Sequence, residues 1–253
     1  TSIAVGRDHA CAVLADTTAA CWGLLPDDTN ASPESPAPVR DAFGEPLGDI
    51  AELCGGSHFT CARYHAGDVQ CWGDNTYGQL GNGGFAHSDV PVTVVDGTDA
   101  ALAGITSLGC GSRHVCAVGA GGVIYCWGDN DGGQLGHGYA GAPEPAAATV
   151  ITGSFGDELT GAVEVAASFH GHSTYDAHTC ARTAAGAAVC WGGNNSGQLG
   201  SNVTGNVGIA QPVDGLSGVV DIDVGRSVTC AALDDGTTRC WGQASYGQHG
   251  TGN

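Results

Sequence analysis

The chain has no lysine and no methionine. Its seven basic residues are all arginine, set against 26 acidic residues, for a formal charge of −19. A surface this acidic repels nucleic-acid phosphates and lacks the basic footprint of a DNA- or RNA-binding protein. Arginine in place of lysine, with abundant aspartate, instead suits a strongly hydrated protein that resists lysine-directed proteolysis. No run of 18 apolar residues exists, so no membrane insertion is expected. No basic segment followed by an apolar stretch opens the chain, so a signal peptide is expected to have been removed or to lie outside this sequence. Catalytic signatures are missing as well: there is no Gly-x-Ser-x-Gly elbow, no His-Glu-x-x-His helix and no P-loop. No Cys-x-x-Cys pair occurs, which argues against a zinc-binding cysteine framework.

What is present is a repeated unit. A cysteine, nine residues, then Cys-Trp-Gly occurs as Cys11/Cys21-Trp22, Cys61/Cys71-Trp72, Cys116/Cys126-Trp127, Cys180/Cys190-Trp191 and Cys230/Cys240-Trp241. The first cysteines are 50, 55, 64 and 50 residues apart, a period that signals a repeat array or propeller. Each unit reads as two short strands joined by a tight turn. Glycine stands six residues after the first cysteine in four copies (Gly67, Gly122, Gly186, Gly236), as the left-handed position of a three-residue hairpin loop requires. That loop places the two cysteines opposite each other. A cross-strand disulfide there contributes roughly 2.5–3 kcal/mol by restricting the unfolded chain. Twelve cysteines in this arrangement point to an oxidising compartment: extracellular medium, cell surface or periplasm. A polar glycine loop follows four of the five hairpins, as Gly73–Gly81, Gly128–Gly136, Gly192–Gly200 and Gly242–Gly250, with a short apolar strand after it in repeats two to four. Roughly four strands per repeat make one propeller blade.

The string Gly-x-x-His-x-Cys-Ala, followed by Cys-Trp-Gly-x-Asn-x-x-Gly-Gln-Leu-Gly, resembles the regulator of chromosome condensation repeat across nearly the whole chain. The resemblance implies an all-β fold: a β-propeller, here of five blades of about four antiparallel strands with one cross-strand disulfide each. The repeats are expected at about 1–45, 46–100, 101–158, 159–216 and 217–253, in one domain. The first apolar segment enters as an inner strand and the fifth unit stops short of a trailing one, so the two ends are expected to meet in one blade and close a five-bladed ring. A fragment, or a ring completed by another chain, are the alternatives.

Nucleotide exchange on a small GTPase, with chromatin binding, is the family's founding role and conflicts with the charge and the cysteines. Photoreception, found in a plant relative, uses tryptophans beyond the repeat, and all five here belong to it. Secreted members, including one of similar build that inhibits β-lactamase, are the better analogy. The expected function is therefore a non-enzymatic protein-binding propeller, inhibitory in some settings. A structural subunit of an extracellular fibre or surface assembly is the alternative. The partner is then a protein, or a second copy through the incomplete last blade.

Candidate binding residues are the irregular ones: Asp27 and Asp28 in a divergent first loop, and loop aromatics Tyr77, Phe85, Tyr139, Tyr175 and Tyr246, since rigid aromatics anchor interfaces. His170 and His172, with Asp176, offer a His-x-His start for zinc or copper, and with it a metal-dependent enzyme as a further alternative. Asp129-Asn130-Asp131-Gly132 resembles a calcium loop but lacks its later glutamate. No cofactor is otherwise implied. His9, His114 and His178 fill a slot of the repeat, with His58 close to it, and read as hydrogen-bonded scaffold. Cys54 and Cys110 stand outside the repeat, either as an inter-blade disulfide or as buried thiols.

Overall fold

A computed structural model describes residues 2–24, 34–152, 156–169 and 176–250. These form five antiparallel sheets in sequence order. Blade one holds β1 (Ile3–Val5), β2 (His9–Val13), β3 (Ala19–Gly23) and β4 (Ala37–Pro38). Blade two holds β5 (Ile50–Gly55), β6 (Phe59–Tyr64), β7 (Val69–Gly73) and β8 (Ser88–Thr93). Blade three holds β9 (Ser107–Cys110), β10 (His114–Val118), β11 (Ile124–Asn130) and β12 (Gly141–Thr149). Blade four holds β13 (Ala162–Ala167), β14 (His178–Thr183), β15 (Ala188–Gly192) and β16 (Val207–Pro212). Among the described residues blade five has three strands, β17 (Val219–Val224), β18 (Val228–Leu233) and β19 (Thr238–Gly242).

The hairpin geometry follows from its turn. Gly67, Gly122, Gly186 and Gly236 have φ of 90°, 74°, 74° and 83°; in blade one Thr17 takes the same position at φ 68°. The resulting register pairs Cys11 with Cys21, Cys61 with Cys71, Cys116 with Cys126, Cys180 with Cys190 and Cys230 with Cys240. All five pairs are disulfides, with Cα atoms 4.0–4.2 Å apart. A sixth joins Cys54 of β5 to Cys110 of β9 across two blades.

The core lies between blades rather than within them, because a single sheet this small cannot cover either of its faces. The disulfide and alanines of one hairpin pack on the inner strand and tryptophan of the next: Cys11 and Cys21 on Leu53, Ala62 and Trp72; Cys61 and Cys71 on Leu108, Ala117 and Trp127. Blades three to four and four to five repeat the arrangement.

Inner strands pack in series, β1 on β5, β5 on β9, β9 on β13 and β13 on β17. Among the described residues β17 does not pack on β1 as the other inner strands pack on one another, so the expected closure into a ring is corrected: the described blades form an open arc. β1 pairs with β2 of its own sheet, and among the described residues the free edge of blade five is β19. The physical reason is seen at one position. Leu53, Leu108, Val165 and Ile222 each stand opposite the alanine after the first cysteine and are 4%, 6%, 4% and 3% exposed. Ile3 occupies the same position opposite Ala12 and is 69% exposed, with no blade packed on it among the described residues.

Candidate interaction surface

Three kinds of contact join neighbouring blades, and they define what an uncovered end lacks. The first is a seat for tryptophan. Trp127 Nε1 donates to the Gln79 carbonyl (3.0 Å), Trp191 to that of Gln134 (2.8 Å) and Trp241 to that of Gln198 (2.9 Å). The loop glycine beside each seat, Gly81, Gly136 or Gly200, has φ between 64° and 72°. A Cβ there would fall 2.7–2.9 Å from the indole Nε1, so only glycine lets the ring in.

The second contact is a histidine–threonine bond. His9 Nε2 lies 2.8 Å from Thr60 Oγ1, His114 Nε2 3.0 Å from Thr179 Oγ1 and His178 Nε2 2.9 Å from Thr229 Oγ1. Thr179 and Thr229 spend their hydroxyl protons on the Gln134 and Gln198 carbonyls, at 2.9 and 2.8 Å. Each hydroxyl must then accept from the imidazole, which fixes Nε2 as the protonated nitrogen. Burial lowers the His9 pKa, and the His58 charge lowers it further. These rings tie neighbouring blades together.

Between blades two and three the pair is replaced as a unit. Phe59, not His58, takes the histidine slot, and Val115 takes the threonine slot; both are fully buried in one apolar cluster. A histidine facing valine would bury a donor without an acceptor, so both members change together. The Cys54–Cys110 disulfide lies at this same interface. It is the third kind of contact and occurs here once.

The two ends of the arc carry the unused halves. The loop of the fifth unit is built like the others: Gly250 has φ 65°, Gly250 N donates to the Gly247 carbonyl at 3.0 Å, and Tyr246 N donates to Gln248 Oε1 at 2.8 Å. Among the described residues no atom lies within 4 Å of a Cβ placed on Gly250, so the tryptophan seat is empty. The Cys230–Cys240 disulfide beside it is half-buried, where the four others are covered completely. At the opposite end Trp22 is half-buried and Ile3 and Val5 are exposed. The histidine slot at the blade-five end is Val228 and the threonine slot at the blade-one end is Ala10, both apolar like Phe59 and Val115.

Of the candidate binding residues, Tyr246 is 87% exposed and sits on the empty seat's loop. Phe85 and Tyr139 are exposed on other loops, and the Tyr139 hydroxyl donates to Glu144. Burial, then Glu144, pushes the Tyr139 pKa up to about 12, so the phenol stays a donor. Tyr77 is not a free loop aromatic: it is half-buried, with the Arg113 guanidinium 4.5 Å from its ring centroid. Asp27, Asp28, Tyr175, His170 and His172 fall outside the described residues. Asp176 accepts from Asn195 Nδ2 at 2.8 Å, and its carbonyl accepts from Gln198 Nε2 at 3.3 Å, so it serves the glycine loop of its own blade.

In the calcium-like stretch Asp129 is buried and accepts from Asp131 N at 3.1 Å, while the Asn130 side chain binds the Leu135 amide and the Tyr139 carbonyl. Burial pushes the Asp129 pKa up to about 6. A carboxylate whose charge is penalised, beside an asparagine already committed to the backbone, is a loop brace. Sequence reasoning missed the empty seat and the Phe59/Val115 exchange. Aligning each histidine slot with the threonine slot of the following repeat would have shown the second.

A blade stapled by a cross-strand disulfide, repeated in an arc and joined through tryptophan seats, defines a repeat β-propeller. The regulator of chromosome condensation (RCC1) repeat model matches residues 66–118, and a second model of the same description matches residues 50–79, 105–134 and 219–248. The chain belongs to the RCC1-type repeat propellers. Among curated proteins it is similar to the ultraviolet-B receptor UVR8 of Arabidopsis thaliana, 30% identical over 74% of this chain and 40% of that receptor. The chain spans 5% to 40% of the length of the curated relatives it matches. Among solved structures, human WBSCR16 is 19% identical with a TM-score of 0.76, over 96% of this chain and 62% of that one. Yeast RCC1 (Prp20), solved with Kap60, is 16% identical with a TM-score of 0.72, over 94% of this chain and 55% of that one. Both show the fold, and in both this chain superposes on only part of the larger molecule.

Proposed function

We propose that the chain is a non-enzymatic, secreted or cell-surface protein-binding propeller, and that the seat at the end of blade five receives a protein edge, from a further stretch of the polypeptide or from a separate partner. The observation that carries this reading is the empty seat at Gly247–Gly250 beside the half-buried Cys230–Cys240 disulfide. Three equivalent seats in the same chain each hold an indole. The partner is therefore a protein edge that presents a flat aromatic ring to the seat and an apolar side chain to Val228. The structural relative Prp20 was solved bound to another protein, Kap60. Six disulfides support an oxidising compartment, and a charge of −19 opposes binding to nucleic-acid phosphates.

One observation favours a second reading, a structural subunit that self-associates. The end at blade one carries the exposed halves of the same contact, Trp22 and Ile3. Non-reducing native mass spectrometry of protein purified from its source tests both readings. A complex with a chain of different mass, lost on substituting Gly250→Phe to fill the seat, supports the binding module. A ladder of multiples of the chain mass supports the subunit, and a monomer of the chain mass alone contradicts both.

A further inference from the structure

Cys54 does something that no other inner-strand residue of the propeller does. In every blade one residue of the first strand stands opposite the first cysteine of the hairpin: Ala4, Cys54, Gly109, Ala166 and Asp223. Only Cys54 places a third sulfur beside a repeat disulfide. The Sγ atoms of Cys54, Cys61 and Cys110 all lie within 4.8 Å of one another. Cys61 is bonded in turn to Cys71. Two disulfides thus meet side by side, and their exposures differ: Cys61 and Cys71 are fully buried, whereas Cys54 and Cys110 are partly open. Cys110 also lines a shallow depression with Glu164, Asp221 and Asp223.

We propose that Cys54–Cys110 and Cys61–Cys71 form one thiol–disulfide exchange centre, whose substrates are small thiols entering at the open pair. A thiolate attacks Cys110 Sγ, forms a mixed disulfide there and releases the Cys54 thiolate. Cys54 then attacks the neighbouring Cys61 Sγ. The Cys54–Cys61 bond forms, Cys61–Cys71 breaks, and Cys71 leaves as a thiolate that takes a proton from water. A second small thiol resolves the mixed disulfide at Cys110. Two small thiols are oxidised to their disulfide, and one protein disulfide is reduced to the Cys71 and Cys110 thiols. The acidic depression disfavours anionic thiols, so a neutral thiol reacts faster than one carrying carboxylates. Exchange also opens the covalent tie at the described interface that has Phe59 and Val115 in place of a histidine–threonine bond.

Arginine spacing makes the outcome readable. Tryptic cleavage after Arg40, Arg63 and Arg113 puts Cys54 and Cys61 on residues 41–63, and Cys71 and Cys110 on residues 64–113. In the native protein these two peptides are joined by both disulfides. The full chain is treated with limiting β-mercaptoethanol, trapped with N-ethylmaleimide and mapped without reduction. The expected product is two separate peptides: residues 41–63 with an internal disulfide, and residues 64–113 carrying two maleimides. Peptides still joined through Cys61–Cys71, with maleimides on Cys54 and Cys110, would overturn the proposal and leave Cys54–Cys110 an independent staple. Complete resistance of Cys54–Cys110 to the thiol would overturn it as well. The Cys110→Ser chain gives a second reading without any reductant. Cys54 is then free, and the map should contain the internal 41–63 disulfide together with a trappable Cys71. Cys61–Cys71 alone, with a trappable Cys54, contradicts exchange.

Discussion

Blades three and five carry nearly the same hairpin, yet their faces toward the next blade differ. Cys116, Cys126 and Leu135 of blade three are fully buried under blade four. In blade five the equivalent disulfide is half-buried and the loop leucine is replaced by His249. The repeat therefore encodes half of each contact, and burial comes only from a neighbour's matching half. The empty seat at Gly250 and the exposed Ile3 are ordinary repeat positions that meet no matching half among the described residues.

Tryptophan truncation should break this comparison most sharply. Trp191→Ala removes a fully buried indole and its bond to the Gln134 carbonyl, and is expected to cost about 3–5 kcal/mol. Trp22→Ala should cost about 1 kcal/mol, since its ring is only half-buried. Urea unfolding without reductant measures both; equal losses would mean that the end is covered. Thr179→Val comes next, because it strips His114 Nε2 of its hydroxyl acceptor at a buried interface. A loss of about 1–3 kcal/mol is expected. Adding His114→Phe should recover most of it by recreating the Phe59/Val115 solution, and failure to recover would sink the pairing rule.

A smaller effect is expected at Asp129. Its folded pKa of about 6 lies above the ordinary 3.8, chiefly through burial. The folded protein therefore holds a proton that the unfolded chain releases. Stability from this group is complete below pH 3.8 and lost as pH rises through 6. Asp129→Asn should accordingly add about 1–2 kcal/mol at pH 7.5 and nothing at pH 3.5, as denaturant midpoints at the two pH values would show. Tyr246→Ala should change stability by less than about 0.5 kcal/mol, as an exposed residue does, while weakening partner binding. A large stability loss would mean that Tyr246 is structural.

The staples, the hairpin turn and the blade count were legible because each depends on spacing inside one repeat. A ten-residue cysteine separation with glycine at the turn admits one register. Closure was not legible, because it depends on the angle between blades. That angle is set by Trp127 on Gln79 and His114 on Thr179, contacts whose halves lie in different repeats. Cys54 and Cys110 were legible as a candidate pair from their matching places in adjacent repeats. The nearness of Cys61 to both was not, because it needs β5 beside β6 and β9 behind them.

Amide hydrogen exchange along the chain, compared between the isolated protein and the protein as purified from its source, tests the incomplete-end account most directly. The account predicts fast exchange over β19 and Gly247–Gly250 in the isolated chain. With the natural partner bound, protection there should rise to the level of β15 and Gly197–Gly200. Strong protection of β19 in the isolated chain, or fast exchange in both samples, would contradict it.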